Sequence, residues 1–405
     1  MTMALEGIRV LDFSRQMAAP YGTMLLADYG ADVIKVESLP KGDGSRSTGT
    51  DFVDGESAIF LQWNRGKRSV ALDMRKPEAL EIIRRLVVDC DVLVENYRPG
   101  VADEIGIGYE AMSALNPRLV YTSVSAFGPT GPLAPYPGTD PVVQAVSGVM
   151  SVTGEPGGDP LLVGVPIADF TGAMLCAQAV MLGLLARERT GKGQKIDVSM
   201  LFGLMSALTT RLATHWATDE DPGRFGSAHS IVVPYQSFRT KDGHAVAGVW
   251  GGNGWPKFCA AIGRPDLVEN ERYRTNIDRV NRRDEVTALL QEVFLTRTTA
   301  EWEQSFNEQG ALFGPVQTFS EVFAHPQVQQ AGLVKMIDHP KLGPIKQLAP
   351  VIFMSDTPGE IRSAPPLLGE HTDEVLRQAG YSEADIEAMK AGGVALAAEV
   401  LTAPH

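Results

Sequence analysis

The sequence predicts an α/β protein: a parallel-sheet domain together with a smaller α+β domain. Three observations carry this. The chain has 405 residues, more than one ordinary hydrophobic core organises, so two domains are expected. Residues 8–37 hold a strand, a helix and a second strand in succession, the βαβ unit from which parallel sheets are built. Near Asp219 the texture changes: an acidic run with Pro222 and Gly223 leads into a hairpin pattern.

In chain order, residues 8–13 alternate and start β-branched, so they form the first strand. Residues 20–29 form a helix with Leu25, Leu26 and Tyr29 on one face. Gly30 turns the chain into a strand over 33–37. No GxGxxG turn joins these elements, so a dinucleotide site is not indicated. Residues 41–54, rich in Gly, Ser, Thr and Asp, form a loop. A short strand over 70–72 precedes Pro77, which opens a helix to about Val88. Strands follow at 91–96 and 119–124. Residues 127–138 are a Gly/Pro loop acting as a lid or wall. Thr139 to Met150 should be a helix carrying Asp140 and Gln144. Residues 173–186 are almost wholly apolar and suit a buried helix. A strand at 195–199 and an apolar helix over 201–216 complete the first region.

Beyond it, residues 235–249 pattern as a hairpin with Asp242-Gly243 at the turn. Residues 255–262 and 283–295 are helical. Gly251 to Gly254 form a glycine-rich strand-to-helix turn. Residues 351–353 suit a short strand, and 373–378 and 383–391 are helices. The boundaries fall at 1–224, 225–325 and 326–405.

Hydrophobic residues make up 44% and charged residues 21%, the balance of a soluble globular protein. A net charge of −13 argues against a nucleic-acid partner or an anionic membrane. Cys90, Cys176 and Cys259 form no CxxC pair. That fits a reducing compartment and argues against a Cys-based zinc site. No basic and apolar leader is seen at the start. Residues 173–186 are too short to span a bilayer. A cytoplasmic location is expected, with neither a metal nor a prosthetic group.

The chemistry centres on residues 164–172. Asp169 follows mixed apolar residues and precedes the apolar helix. At a helix N-terminus, free N–H groups and the dipole favour an anion. Asp169 is therefore either a helix cap or a nucleophile or base held ionised in a partly apolar pocket. A second feature is Arg65, Lys67, Arg68, Arg75 and Lys76, set against the single acid Asp73. Basic residues between a strand end and a helix N-terminus suit a phosphate; the alternative is a solvated surface cluster. Asn96-Tyr97-Arg98 lies at a strand's carboxyl end, where α/β folds bind ligands. Arg98 either meets an anion or pairs with Glu95 or Asp103.

Eight ordered segments resemble the class III CoA-transferases of the formyl-CoA and carnitine type. They are Gly7-Ile-Arg-Val-Leu-Asp-Phe-Ser, the run from Leu26 to Glu37, Asn64-Arg-Gly-Lys-Arg-Ser69, Val94-Glu-Asn-Tyr-Arg-Pro-Gly100, Asn116-Pro-Arg-Leu-Val-Tyr, Ser125-Ala-Phe-Gly-Pro-Thr-Gly-Pro132, Asp169 in its apolar setting, and Thr190-Gly-Lys-Gly-Gln-Lys-Ile-Asp-Val-Ser199. Pro234-Tyr, Asp242-Gly243 and Gly369-Glu-His-Thr372 extend the resemblance. It implies a Rossmann-like large domain built from both chain ends, a smaller domain between them, and an interlocked homodimer. It also implies a transferase that moves CoA from an acyl-CoA to a small carboxylic acid. Asp169 would be the nucleophile, passing through an anhydride and an aspartyl-CoA thioester. Coenzyme A thioester is then a substrate and no further cofactor is required.

By the same resemblance, CoA contacts fall on Met17, Ala18, Leu72, Asp73, Met74, Arg75, Asn96, Tyr97 and Arg98. Thr139 and Asp140 line the substrate pocket, with Asp140 alternatively capping the next helix. Met17 stands where the formyl-CoA type has Gln, and Glu104 where it has a basic residue. Both weigh against the formyl/oxalate substrate pair. The alternative activity on the same fold is α-methylacyl-CoA racemase. That chemistry needs an acid/base pair about the α-carbon, supplied in part by the His of a Gly-His-Asp triplet. Here the triplet is Gly138-Thr139-Asp140, and threonine cannot serve as that base.

Overall fold

The computed structural model describes residues 2–398. It divides into two compact units. The large one runs from the chain start to Met150 and adds Leu162–Ala217 and the segment from Ala331 onward; the small one is Ser151–Leu161 with Thr218–Gln330.

The large unit is built on seven strands: β1 (Arg9–Asp12), β2 (Asp32–Ser38), β3 (Lys67–Leu72), β4 (Val92–Glu95), β5 (Val120–Ser125), β6 (Gln194–Ser199) and β7 (Ala395–Leu396). Their order across the sheet is β7-β3-β2-β1-β4-β5-β6. All neighbours are parallel except β7, which runs antiparallel on β3. Apart from β7, this is the 3-2-1-4-5-6 order of doubly wound sheets. Its order reverses between β1 and β4, and a crevice opens there at the carboxyl ends.

The central strands β1, β2, β4 and β5 are buried because helices cover both faces of the sheet. Alternation along each strand divides the side chains. Val10, Val33, Val92, Val94 and Val120 enter one core. Leu11, Ile34, Leu93 and Tyr121 enter the other. The unit's helices include α1 (Pro20–Asp28), α2 (Pro77–Val88), α3 (Asp140–Ser147), α4 (Ile167–Thr190) and α5 (Met200–Ala207). α2 starts with Pro77 and buries Ala79, Ile82, Ile83, Leu86 and Val87, one stripe at helical spacing.

α4 has 24 residues, ten more than the apolar run at 173–186. It continues into the polar Arg187–Thr190 turn and stops at Gly191, whose φ of 72° is the left-handed ending glycine favours. By length and composition alone α4 could cross a membrane, and half of its most apolar window is buried within the protein. Cys176, Ala177 and Val180 belong to the core it shares with α1, and Ala173 is buried too.

Two sequence expectations change. The helix expected over 201–216 is two helices, α5 and Thr209–Thr218, broken at Leu208. Residues 351–353 form no strand. Apolar, β-branched residues suit a strand, but none pairs here. The Ile352 N–H donates to the Tyr29 hydroxyl, which donates back to the Ile352 carbonyl. The real hairpin lies just before, Val334–His339 against Gly343–Leu348.

The C-terminal segment closes the β3 edge. His371 Nδ1 accepts the Ser69 N–H, Thr372 Oγ1 accepts the Ala71 N–H, and Ser69 Oγ accepts the Gly369 N–H. The small unit holds a three-stranded antiparallel sheet over an aromatic core that includes Phe238, Trp255, Phe258, Phe294, Trp302 and Phe306.

Candidate active site

The loop leaving β1 at the switch point is held residue by residue. Lys35 Nζ donates to the Ser14 carbonyl at 2.8 Å. Asn96 brackets Arg15: its Oδ1 accepts the Arg15 N–H and its Nδ2 donates to the Arg15 carbonyl, both at 2.8 Å. The Asp43 carboxylate accepts the Gln16 N–H at 3.0 Å, at a φ of 62°, a backbone region few side chains adopt without such support. Beneath the loop, Asp12 takes Thr23 Oγ1 at 2.6 Å and Lys67 Nζ at 3.0 Å. Burial opposes the Asp12 charge, but Lys67 and Lys35 prevail and hold its pKa at about 2.

This loop, the end of β4, α3 and the start of α4 enclose a cavity of about 920 Å³. Arg15, Gln16, Ala18, Asn96, Tyr97, Thr139, Asp140, Gln144 and Asp169 face it, with Leu162 to Pro166 and Met200 as an apolar wall.

Asp169 lies in the first turn of α4, whose N-cap position is Pro166. It does not cap the helix. Asp140 does: its Oδ1 accepts the Ala168 N–H at 2.7 Å and the Asp169 N–H at 3.3 Å. Its Oδ2 accepts Gln144 Nε2 at 2.6 Å, and Gln144 Oε1 accepts the Val163 N–H at 2.9 Å. Residues 140 and 144 lie one turn apart on α3, so one face of it grips both the wall and the α4 N-terminus. Among the described residues, no cation pairs with Asp169. Burial, then the neighbouring Asp140 charge, pushes its pKa up to about 6. It is ionised at neutral pH yet far more basic than an ordinary carboxylate.

The other expected residues are placed as follows. Met17 lines an adjoining cavity of about 510 Å³ with Tyr21, Trp63, Arg65 and Phe170; Val165 and Pro166 line both cavities. Arg98 is exposed and faces a third, polar cavity with Glu95, Asp103, Lys195 and Asp197. Leu72 is fully buried, and its carbonyl accepts the Leu39 N–H. Met74 packs on the α2 core. Arg75 is bidentate to Asp73 at 2.8 and 2.9 Å.

The basic run around Arg75 is taken up within the fold. Arg65 pairs with Asp28, Lys67 with Asp12, Arg68 with Asp32 and Glu374, and Lys76 bonds the Gly392 carbonyl. Sequence reasoning missed Arg15 and Gln144 as cavity residues. Position at the end of the first parallel strand, and the i, i+4 spacing from Asp140, are the signals that mark them.

Residues 5–372 match the model of CoA-transferase family III. Succinyl-CoA:glutarate CoA-transferase of Mus musculus is 39% identical over 96% of this chain and 90% of its own length. Formyl-CoA:oxalate CoA-transferase of Bradyrhizobium sp. (strain ORS 278) is 32% identical over 95% of each chain. The crystal structure of a CAIB/BAIF family protein from Brucella suis superposes with a TM-score of 0.83 at 36% identity, covering 94% of this chain and 100% of that one.

Proposed function

The chain belongs to CoA-transferase family III, and from that premise we propose that it moves CoA between carboxylic acids with Asp169 as the covalent carrier. The carrying observation is a carboxylate raised to about 6 in a cavity at the sheet's switch point. Attack by Asp169 on the thioester carbonyl forms a mixed anhydride and expels CoA thiolate. The thiolate attacks the aspartyl carbonyl, giving an aspartyl-CoA thioester and releasing the donor acid. The acceptor carboxylate attacks that thioester, forming a second anhydride and thiolate. The thiolate then takes the acceptor's acyl carbon and restores Asp169. Every step exchanges one acyl bond for another, so atoms and charge balance without a redox partner. A raised pKa makes the carboxylate a better nucleophile while leaving it ionised at neutral pH.

Asp140 and Gln144 position the nucleophile. The CoA moiety runs along the segments that carry Met17 and Ala18, Asp73 to Arg75, and Asn96 to Arg98, while Leu72 lies buried beneath them. The named relatives act on succinyl-CoA, glutarate and oxalate, so a short dicarboxylic acid is the proposed acceptor class. A homodimer in the cytoplasm completes the reading. Thr139, where a racemase places its His, offers no base. The test is an acceptor panel: purified protein, succinyl-CoA or acetyl-CoA, and a set of mono- and dicarboxylic acids, read by the mass of the new acyl-CoA. Transfer to at least one dicarboxylate is expected; no new thioester from any acid would remove the reading.

A further inference from the structure

The cavity around Asp169 has an unusual charge balance for its substrates. CoA thioesters and carboxylic acids are both anionic. Two carboxylates, Asp140 and Asp169, face the space they must enter. Like charges in a partly desolvated cavity repel more strongly than in water. Arg15 is the only cation among the described residues lining that cavity.

Its chemistry is unspent in a way its neighbours' is not. Arg65, Lys67, Arg68 and Arg75 each pair with a carboxylate. Arg15 meets none among the described residues. Its guanidinium carbon stands 4.8 Å from the centre of the Tyr97 ring. Its two side-chain bonds, to the Ser38 and Tyr97 hydroxyls at 3.4 and 3.3 Å, both leave from Nη2. Nε and Nη1 donate to no protein acceptor among the described residues. Asn96 fixes the backbone beneath it from both sides. A planar cation resting on a ring, with no carboxylate partner and two donor nitrogens uncommitted, suits capture of an oxyanion.

We propose that Arg15 is the anion anchor of the site, receiving a second oxyanion of the substrate, remote from the reacting carbonyl. This rests on the transferase reading. Two sources offer that chemistry: the distal carboxylate of a dicarboxylic acid, and a phosphate of CoA.

The test compares wild type, Arg15→Gln and Arg15→Lys with paired substrates. One pair is glutarate against pentanoate as acceptor. The other is acetyl-CoA against acetyl-pantetheine as donor, the latter lacking every phosphate. Thermal melting confirms that each variant is folded. Arg15→Gln is expected to lower kcat/KM about 10- to 100-fold for the member carrying the recognised anion. Its partner should change by no more than about twofold, and Arg15→Lys should recover part of the loss. A loss confined to glutarate assigns the carboxylate; one confined to acetyl-CoA assigns the phosphate. An equal effect across both pairs, including none, overturns the inference. If Arg15→Gln still forms the Asp169 adduct but shows no selective loss, only this inference fails. A wild-type protein that forms no adduct removes the transferase reading instead.

Discussion

At the scale of single residues, Asp169 and Asp140 carry opposite duties. Asp140 occupies the α4 N–H groups that would otherwise soften the charge on Asp169. Burial raises the folded-state pKa of Asp169 from 3.8 to about 6. The folded protein thus holds this proton more tightly than the unfolded chain. The associated stability is complete below about pH 4 and is lost as pH rises through about 6. Asp169→Asn does not titrate, so its stability relative to wild type should climb over that window and level off. The gain at pH 7.5 should be about 1–3 kcal/mol, measured by urea unfolding at pH 4 and pH 7.5; a pH-independent difference would contradict the assignment. Asp140→Asn keeps an oxygen for Ala168 and removes the like charge. The inflection in the rate of Asp169 acylation should then move to lower pH. The new amide also meets the Gln144 amide, whose oxygen is held by Val163, so a loss of about 1–3 kcal/mol in stability should accompany it. An unmoved inflection would show that Asp140 does not set the basicity of Asp169.

At the scale of elements, the site depends on how closely α1 approaches α4. A Cβ on Gly22 would lie 2.7 Å from the Ala173 carbonyl oxygen and 3.0 Å from Cys176 Cβ. Because one of those atoms is backbone, repacking cannot relieve the clash. Gly22→Val should cost about 1–3 kcal/mol, read as a fall in the urea midpoint, and should lower turnover by shifting the first turn of α4. Full stability in this variant would mean that the helices are loosely packed. The first βαβ unit and α2 were legible in the sequence because period and punctuation agree there: β-branched strands, Gly30, and Pro77 before a clean apolar stripe. The segment at 351–353 was not, since its composition suits a strand and only the absence of a neighbour denies it one. The break at Leu208 lacks a Gly or Pro signal. The cap on α4 was half legible: Asp169 and Asp140 were both candidate caps, and only the fold shows that Asp140 reaches the free N–H groups. Similarly, the basic run at 65–76 looked like a patch because its partners Asp12, Asp28 and Asp32 lie far away in sequence.

At the scale of the molecule, the sheet order places the cavity where doubly wound sheets open, and the C-terminal strand β7 seals the far edge on β3. α4 leaves Met181, Leu182 and Leu185 exposed, and Phe202 on α5 is exposed too. An apolar face of this kind suits contact with a second copy. A homodimer is therefore expected in light scattering at micromolar concentration, and an active monomer would contradict it. The account as a whole stands on covalent participation of Asp169. The most direct measurement is intact-protein mass after incubation with acyl-CoA alone, followed by hydroxylamine trapping and peptide mapping. The account predicts an added acyl or CoA mass, hydroxamate at Asp169, and neither in Asp169→Asn. Turnover with no trappable adduct, accompanied by exchange of the substrate's α-proton with deuterated solvent, would contradict it.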